Sequence, residues 1–398
     1  MKSLYNLMQA KEALIIGLMS GTSADGIDAA LVRITGSGRE TKLISEGFIS
    51  VPYSAEMRQR LLNVAAGDFG GSRELCLLHF RLGELFARAC LDLCEAVHIS
   101  PEQVDFVGSH GHTVYHAPLA CAYLGAPARG TLQIGEPSVI AEALNTICVS
   151  DFRVRDFAAE GYGAPLVPYT EYLLYADSKR DVALQNIGGI GNLTLIPAGA
   201  SLEEVCAFDT GPGNMVMDAV CERITKGKMR YDESGKIAAA GKVSAELLRY
   251  MEDDSYLKLA PPKTTGREKY GRDYVDRLFE KAKSLGLEDN DILASATMFT
   301  ARCITIGLHL VRPHADEHNR LRLIAGGGGA SNPTLLKMIA QCLPECDVLT
   351  NEDIGRNSDA KEAEAFALLA NETIHEHCNN AISATGATHP VVMGKISF

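Results

Sequence analysis

The residues of this chain best equipped for chemistry stand together in one short stretch, Gly21-Thr22-Ser23-Ala24-Asp25-Gly26-Ile27-Asp28. Apolar runs at 15–19 and 27–32 flank it, and two such runs around a glycine-containing turn predict a β-hairpin. Gly21 and Gly26 let backbone approach a ligand, Thr22 and Ser23 bring hydroxyls, and Asp25 and Asp28 bring carboxylates. Exposed N–H groups and hydroxyls suit a phosphate, and a nearby carboxylate suits the divalent cation that travels with a nucleotide. The spacing is neither that of a P-loop nor that of a dinucleotide fingerprint, so an ordinary hairpin with a polar turn also accounts for these residues.

Other candidates lie further along. A second hairpin is predicted over 181–197, with Gly188, Gly189 and Asn192 in or beside its turn. Asp209 ends an apolar strand and precedes Thr210-Gly211-Pro212-Gly213-Asn214. A carboxylate there either projects as a base or caps the helix expected from about Met215. Gly327-Gly328-Gly329 follow a strand at 320–325 and allow close approach of a ligand or of a packing helix. His110, His112 and His116 invite a metal reading, but no third ligand type accompanies them, so no metal is assigned and a polar turn is preferred. A loop around Pro261-Pro262-Lys263-Thr264-Thr265-Gly266-Arg267 is expected to be mobile.

The elements that must position these groups repeat. A three-strand meander (to Pro52) is followed by helices at 54–65 and 74–97, a short strand at 104–113, a strand–turn–helix from Thr131, and a strand at 146–153. After the second hairpin comes a strand into Asp209, a long apolar helix over 295–310, the strand into the triple glycine, and a last helix over 361–374. Hairpin with a glycine turn, then alternating helices and strands, occurs twice. At 398 residues the chain has room for roughly two domains of ~100–200 residues. Two such lobes facing a shared cleft suit a bound nucleotide, since ligand sites favour domain interfaces.

Composition narrows the class. Hydrophobic residues at 46% and charged residues at 22% are those of a globular protein with a real core. A formal charge of −12 argues against nucleic-acid and anionic-membrane partners, which need basic patches. No run approaches ~18–20 uninterrupted apolar residues, and the first twelve residues read as a lead-in, not a signal peptide. Eleven scattered cysteines without a CxxC pair point to free thiols in a reducing, cytoplasmic setting.

The segment Gly17-Leu18-Met19-Ser20-Gly21-Thr22-Ser23-Ala24-Asp25-Gly26-Ile27-Asp28 closely resembles the opening motif of anhydro-N-acetylmuramic acid kinases, of the sugar kinase/Hsp70/actin fold group. The resemblance continues in order through Gly108-Ser109-His110-Gly111-His112-Thr113, Leu132-Gln133-Ile134-Gly135, Asp151-Phe152-Arg153, the stretch 163–168, and Asn186-Ile187-Gly188-Gly189-Ile190-Gly191-Asn192. It ends with Phe208-Asp209-Thr210-Gly211-Pro212-Gly213-Asn214, the stretch 327–332, and Lys361-Glu362-Ala363. Departures are His112 where the family often has Gln, Gly191 where Ala or Ser is usual, and Gly326 where Cys or Ser commonly precedes the glycine triplet.

The resemblance implies an α/β fold of two related lobes (ribonuclease H-like) around a nucleotide cleft, divided here at 13–165 and 166–398, with the last helix able to pack back on the first lobe. It implies that water opens the 1,6-anhydro bridge while O6 takes the γ-phosphoryl group of ATP, with Mg²⁺ as companion ion, in peptidoglycan recycling. Asp209 matches the family's base. Glu362 is expected to bind the sugar or assist the water. Residues 21–28, Gly188, Gly189, Asn192 and Gly327 to Gly329 are expected around the nucleotide. Arg153 is expected on the substrate carboxylate unless it pairs with Asp151 or Asp156, and His110, Thr113 and Asp151 are expected near the sugar. A cytoplasmic homodimer is implied. The rival readings are an ordinary hexose or amino-sugar kinase and a nucleotide-gated binding protein of the Hsp70/actin type.

Overall fold

The computed structural model describes residues 2–312 and 320–398. The chain divides into one unit of Met1–Leu174 with Asp359–Phe398 and a second of Tyr175–Ser358.

In the first unit β1 (Glu12–Ser20), β2 (Gly26–Thr35) and β3 (Lys42–Pro52) form an antiparallel meander, and β4 (Phe106–Tyr123) lies parallel to β1. β5 (Ala126–Ile134) folds back on β4, and β6 (Ile147–Ser150) runs parallel to β4 and pairs with the C-terminal strand Lys395–Ser397. β1 is buried without a break from Ala13 to Leu18, as a central strand covered on both faces should be. On one face Ile16 and Leu18 join Leu82, Phe86 and Leu93 of the helix Ser72–Ala96 in the core. On the other lies the helix Lys361–Ile374. Gly17 and Gly108 are register partners on β1 and β4. A Cβ on Gly17 would stand 1.8 Å from the Ala363 carbonyl oxygen, and one on Gly108 2.2 Å from that of Phe366. These two glycines are what let the helix backbone lie directly against the sheet.

That packing moves the boundaries. The expected division at 165/166, which left the last helix able to pack back on the first lobe, compares with units that change over after Leu174 and after Ser358. The last forty residues belong to the first unit because their helix covers its sheet.

In the second unit β7 (Val182–Ile187), β8 (Ile190–Ile196) and β9 (Cys206–Pro212) form the meander, with β10 (Arg322–Gly326) parallel to β7 and β11 (Asp347–Thr350) parallel to β10. The helix Asp289–Val311 runs through its core with Leu293, Phe299, Cys303 and Leu308 buried. By length and composition alone it is apolar enough to cross a bilayer, and its burial accounts for that composition. The strand orders β6-β4-β1-β2-β3 and β11-β10-β7-β8-β9 are the same, so the duplication expected from the sequence is a duplication of topology.

Candidate active site

The β1–β2 turn separates its residues by job. Ala24 and Ile27 are interior, so only their backbone can meet a ligand. A Cβ on Gly26 would come 2.5 Å from the Val51 carbonyl oxygen, which makes that glycine a sheet-packing residue. Gly21 has open space, its imagined Cβ meeting only Ser23 Oγ at 3.8 Å. Thr22 and Ser23 are exposed. Asp25 is exposed and accepts from Arg58 Nε at 3.2 Å. Tyr53 fixes the turn, its N–H donating to the Asp25 carbonyl at 3.0 Å and its hydroxyl meeting Ser20 Oγ at 2.9 Å.

Asp28 lies opposite Ser50 on β3 and bonds its side chain. Burial pushes its carboxyl up, and the charge of Asp359 adds to the shift. A half-buried carboxylate beside a second one is relieved by a cation. Mg²⁺ takes one or two carboxylates together with phosphate oxygens and water; of the two carboxylates in this turn, Asp25 is paired with Arg58, which leaves Asp28 as the better candidate.

A second group gathers around Arg153. Its Nε donates to His110 Nε2 at 2.9 Å and its Nη1 to the Gly163 carbonyl at 3.2 Å. His110 therefore carries its proton on Nδ1, 3.0 Å from the Gly111 carbonyl, and its ring lies 4.7 Å from that of Phe366. Both ring nitrogens of His110 are thus engaged within the protein. Glu362 opens the helix Lys361–Ile374. The residue is exposed at the surface, yet the surrounding protein strips enough water from its carboxyl to raise it; Lys361 and Arg153 oppose this and Asp28 adds to it. Thr113 is buried and accepts from Gln133 Nε2 at 3.2 Å. Asp151 pairs with Lys395 at 2.8 Å and makes no hydrogen bond with this group. Asp156 binds Asn380, Thr385 and the Gly163 N–H, so Arg153 is not held by either aspartate.

The three histidines do not converge. His112 Nδ1 meets Ser20 Oγ at 3.0 Å and His116 Nδ1 meets Thr131 Oγ1 at 3.1 Å. Burial pushes His110 down to about 3, helped by Arg153, and His112 down to about 4. Both folded values lie below the ordinary 6.5, so as pH falls the unfolded chain takes up protons first. The stability they contribute is complete above about pH 6.5 and is lost as pH drops toward their folded values. Between pH 6 and 5 we expect unfolding free energy to fall by ~2–3 kcal/mol for the two together. Urea melts at those pH values check this, and His112→Gln should roughly halve the slope.

In the second unit, Asp209 lies on β9 opposite Asn192 of β8. The helix Asn214–Ile224 begins after Gly213 and has no side-chain cap, so the capping alternative for Asp209 is overturned. Its Oδ2 accepts from Thr264 Oγ1 at 2.7 Å and from the Thr265 N–H at 3.0 Å, while Oδ1 accepts no hydrogen bond among the described residues. The β7–β8 turn is gripped from behind. The N–H groups of Gly213 and Met215 donate to the Gly189 carbonyl at 3.0 and 3.1 Å, and that of Asn214 to the Gly188 carbonyl at 2.7 Å. What this turn can offer a ligand is its N–H face. Gly327, at φ +76°, and Gly329 press on Asn186 and Ile187, where a Cβ would come within 2.5 and 2.3 Å. Those two are packing glycines, and Gly328 alone is exposed. Sequence reasoning missed the threonine pair on Asp209. The only signal was the uncommon Pro-Pro-Lys-Thr-Thr-Gly string.

Two units of the same strand order make the chain an α/β protein built on a duplicated topology. The family model described as anhydro-N-acetylmuramic acid kinase matches residues 13–398. An anhydro-N-acetylmuramic acid kinase of Caldanaerobacter subterraneus subsp. tengcongensis is 50% identical over 399 residues, covering 100% of both chains. One from Clostridioides difficile is 44% identical over 383 residues, covering 96% of this chain and 97% of that one. Among solved structures, the activator of the 2-hydroxyisocaproyl-CoA dehydratase from Clostridium difficile with bound ADPNP aligns at a TM-score of 0.41 and 11% identity, over 91% of this chain and 96% of that one. That last likeness is too loose to bear on function. The chain belongs to the anhydro-N-acetylmuramic acid kinase family and is a kinase that uses ATP.

Proposed function

We propose that this enzyme converts 1,6-anhydro-N-acetylmuramic acid, water and ATP into N-acetylmuramic acid 6-phosphate and ADP, with Asp209 as the base. Water forms a bond to C1 and gives one proton to Asp209. The C1–O6 bond breaks with its electron pair on O6, O6 bonds to the γ-phosphorus, and ADP departs. The observation that carries the assignment is the state of the Asp209 carboxylate, with Oδ2 fixed by two donors and Oδ1 open to accept. A base must be held in place and keep an acceptor free.

On this reading Arg153 pairs with the lactyl carboxylate, a contact suited to a planar guanidinium. Glu362 and Thr113 face the sugar, and His110 orients Arg153. Asp151, tied to Lys395, has no support for a direct contact. In the first unit Gly21, Thr22 and Ser23 serve a phosphate, and in the second the N–H face at Gly188 and Gly189 is suited to the same chemistry. Mg²⁺ would be held by Asp28, through water, and would neutralise phosphate charge. We infer that the enzyme works as a cytoplasmic homodimer, which light scattering checks.

A coupled ADP-release assay tests the function. ADP release should depend strictly on the anhydro-sugar. Equal rates with and without it would favour a nucleotide-gated binding protein instead.

A further inference from the structure

We propose that Thr264 is a positioning residue for Asp209, and that the loop Pro261–Arg267 is a strap that sets which carboxylate oxygen receives the proton. This rests on Asp209 acting as the base.

Several bonds tie the loop to β9. The Asp209 N–H donates to the Lys263 carbonyl at 3.1 Å, and the Tyr256 hydroxyl donates to the Asp209 carbonyl at 2.8 Å. Lys263 Nζ donates to the carbonyls of Tyr256 and Leu257 at 3.2 and 3.3 Å, and sits 4.8 Å from the centre of the Tyr256 ring. Behind them, Asp254 accepts from the Tyr256 N–H at 2.9 Å, from the Tyr270 hydroxyl at 2.8 Å and from Lys269 at 2.6 Å. Tyr256 and Tyr270 are buried. The strap is therefore anchored at both ends in the unit's own core.

Thr264 itself is exposed, so its hydroxyl does little for folding, yet it points at the one carboxylate to which a reaction is assigned. With the Thr265 N–H it occupies Oδ2 and leaves Oδ1 as the acceptor. Fixing a base in its productive orientation acts on the chemical step more than on substrate binding.

The test uses the full-length enzyme with ATP and the anhydro-sugar, and four variants: Thr264→Val, Thr264→Ser, Asp209→Asn, and Thr264→Val combined with Asp209→Asn. A hydrogen bond to a charged group at an exposed site sets the expected loss of kcat for Thr264→Val at ~10-fold, with both KM values within ~2-fold. Thr264→Ser, which keeps the donor, should recover most of it. In the Asp209→Asn background Thr264→Val should cost nothing further, since coupled residues are not additive. If Asp209→Asn is slow but Thr264→Val is near normal, or Thr264→Ser is as slow as Val, or the double variant shows the two losses multiplied, the strap proposal is overturned and the base assignment stands. If Asp209→Asn turns over normally, both fall together.

Discussion

Asp209→Asn is expected to lower kcat by ~10²–10⁴-fold, the contribution typical of a general base, with little change in stability or in either KM. The structure explains why the damage should be so selective. The asparagine side-chain oxygen can take the place of Oδ2 and keep the bonds from Thr264 and Thr265. Its amide nitrogen then stands at Oδ1, where it donates and cannot accept the proton of water. Backbone bonds to Lys263 and Tyr256 are untouched. Thermal melting should show an unchanged fold, and product analysis should show the lost turnover. Near-normal turnover would remove Asp209 from the chemistry.

The largest structural effect should come from Gly17→Ala. The new methyl would sit 1.8 Å from the Ala363 carbonyl and 2.8 Å from the Ala367 nitrogen, both backbone atoms of a helix buried from Ala363 to Ile374. No rotamer change relieves a backbone clash, so the helix must move off the sheet and take Glu362 with it. Such losses belong at the ~4–5 kcal/mol end of single substitutions, or about 10 °C or more in melting temperature for a unit of this size. Gly108→Ala should behave alike. Gly21→Ala is the control, since the space there is open: stability should hold while KM for ATP rises. Melting curves for the three variants decide it, and a stable Gly17→Ala would contradict the packing described.

Much of this was legible in the residues because local signals and tertiary demands agree. Both hairpins, the helix Lys361–Ile374 and the strand carrying Asp209 read directly from apolar runs and glycine turns. The β4–β5 ribbon did not. β4 continues to Tyr123 through Gly111 at φ +73°, and its outer half, with Tyr115, Leu119 and Tyr123 exposed, lacks the alternation that marks a half-buried strand. The return of the last helix to the first unit was foreseen only as an option, because Gly17 and Gly108 look like any other strand glycines until their register is known. Within the site, residue type located the carboxylates but not their partners. That Gly26, Gly327 and Gly329 serve packing, and that Thr264 and Thr265 serve Asp209, depend on contacts between segments far apart in sequence.

The central claim, that water and not a sugar hydroxyl is the group Asp209 activates, is tested most directly by one turnover experiment in ¹⁸O-water. The reaction is quenched early and the product analysed by mass spectrometry with fragmentation. The expected product is a ring-opened sugar 6-phosphate carrying one ¹⁸O at C1 and none in the phosphoryl group. A phosphorylated product that keeps its anhydro bridge, or one formed without label at C1, would contradict it and favour an ordinary sugar kinase.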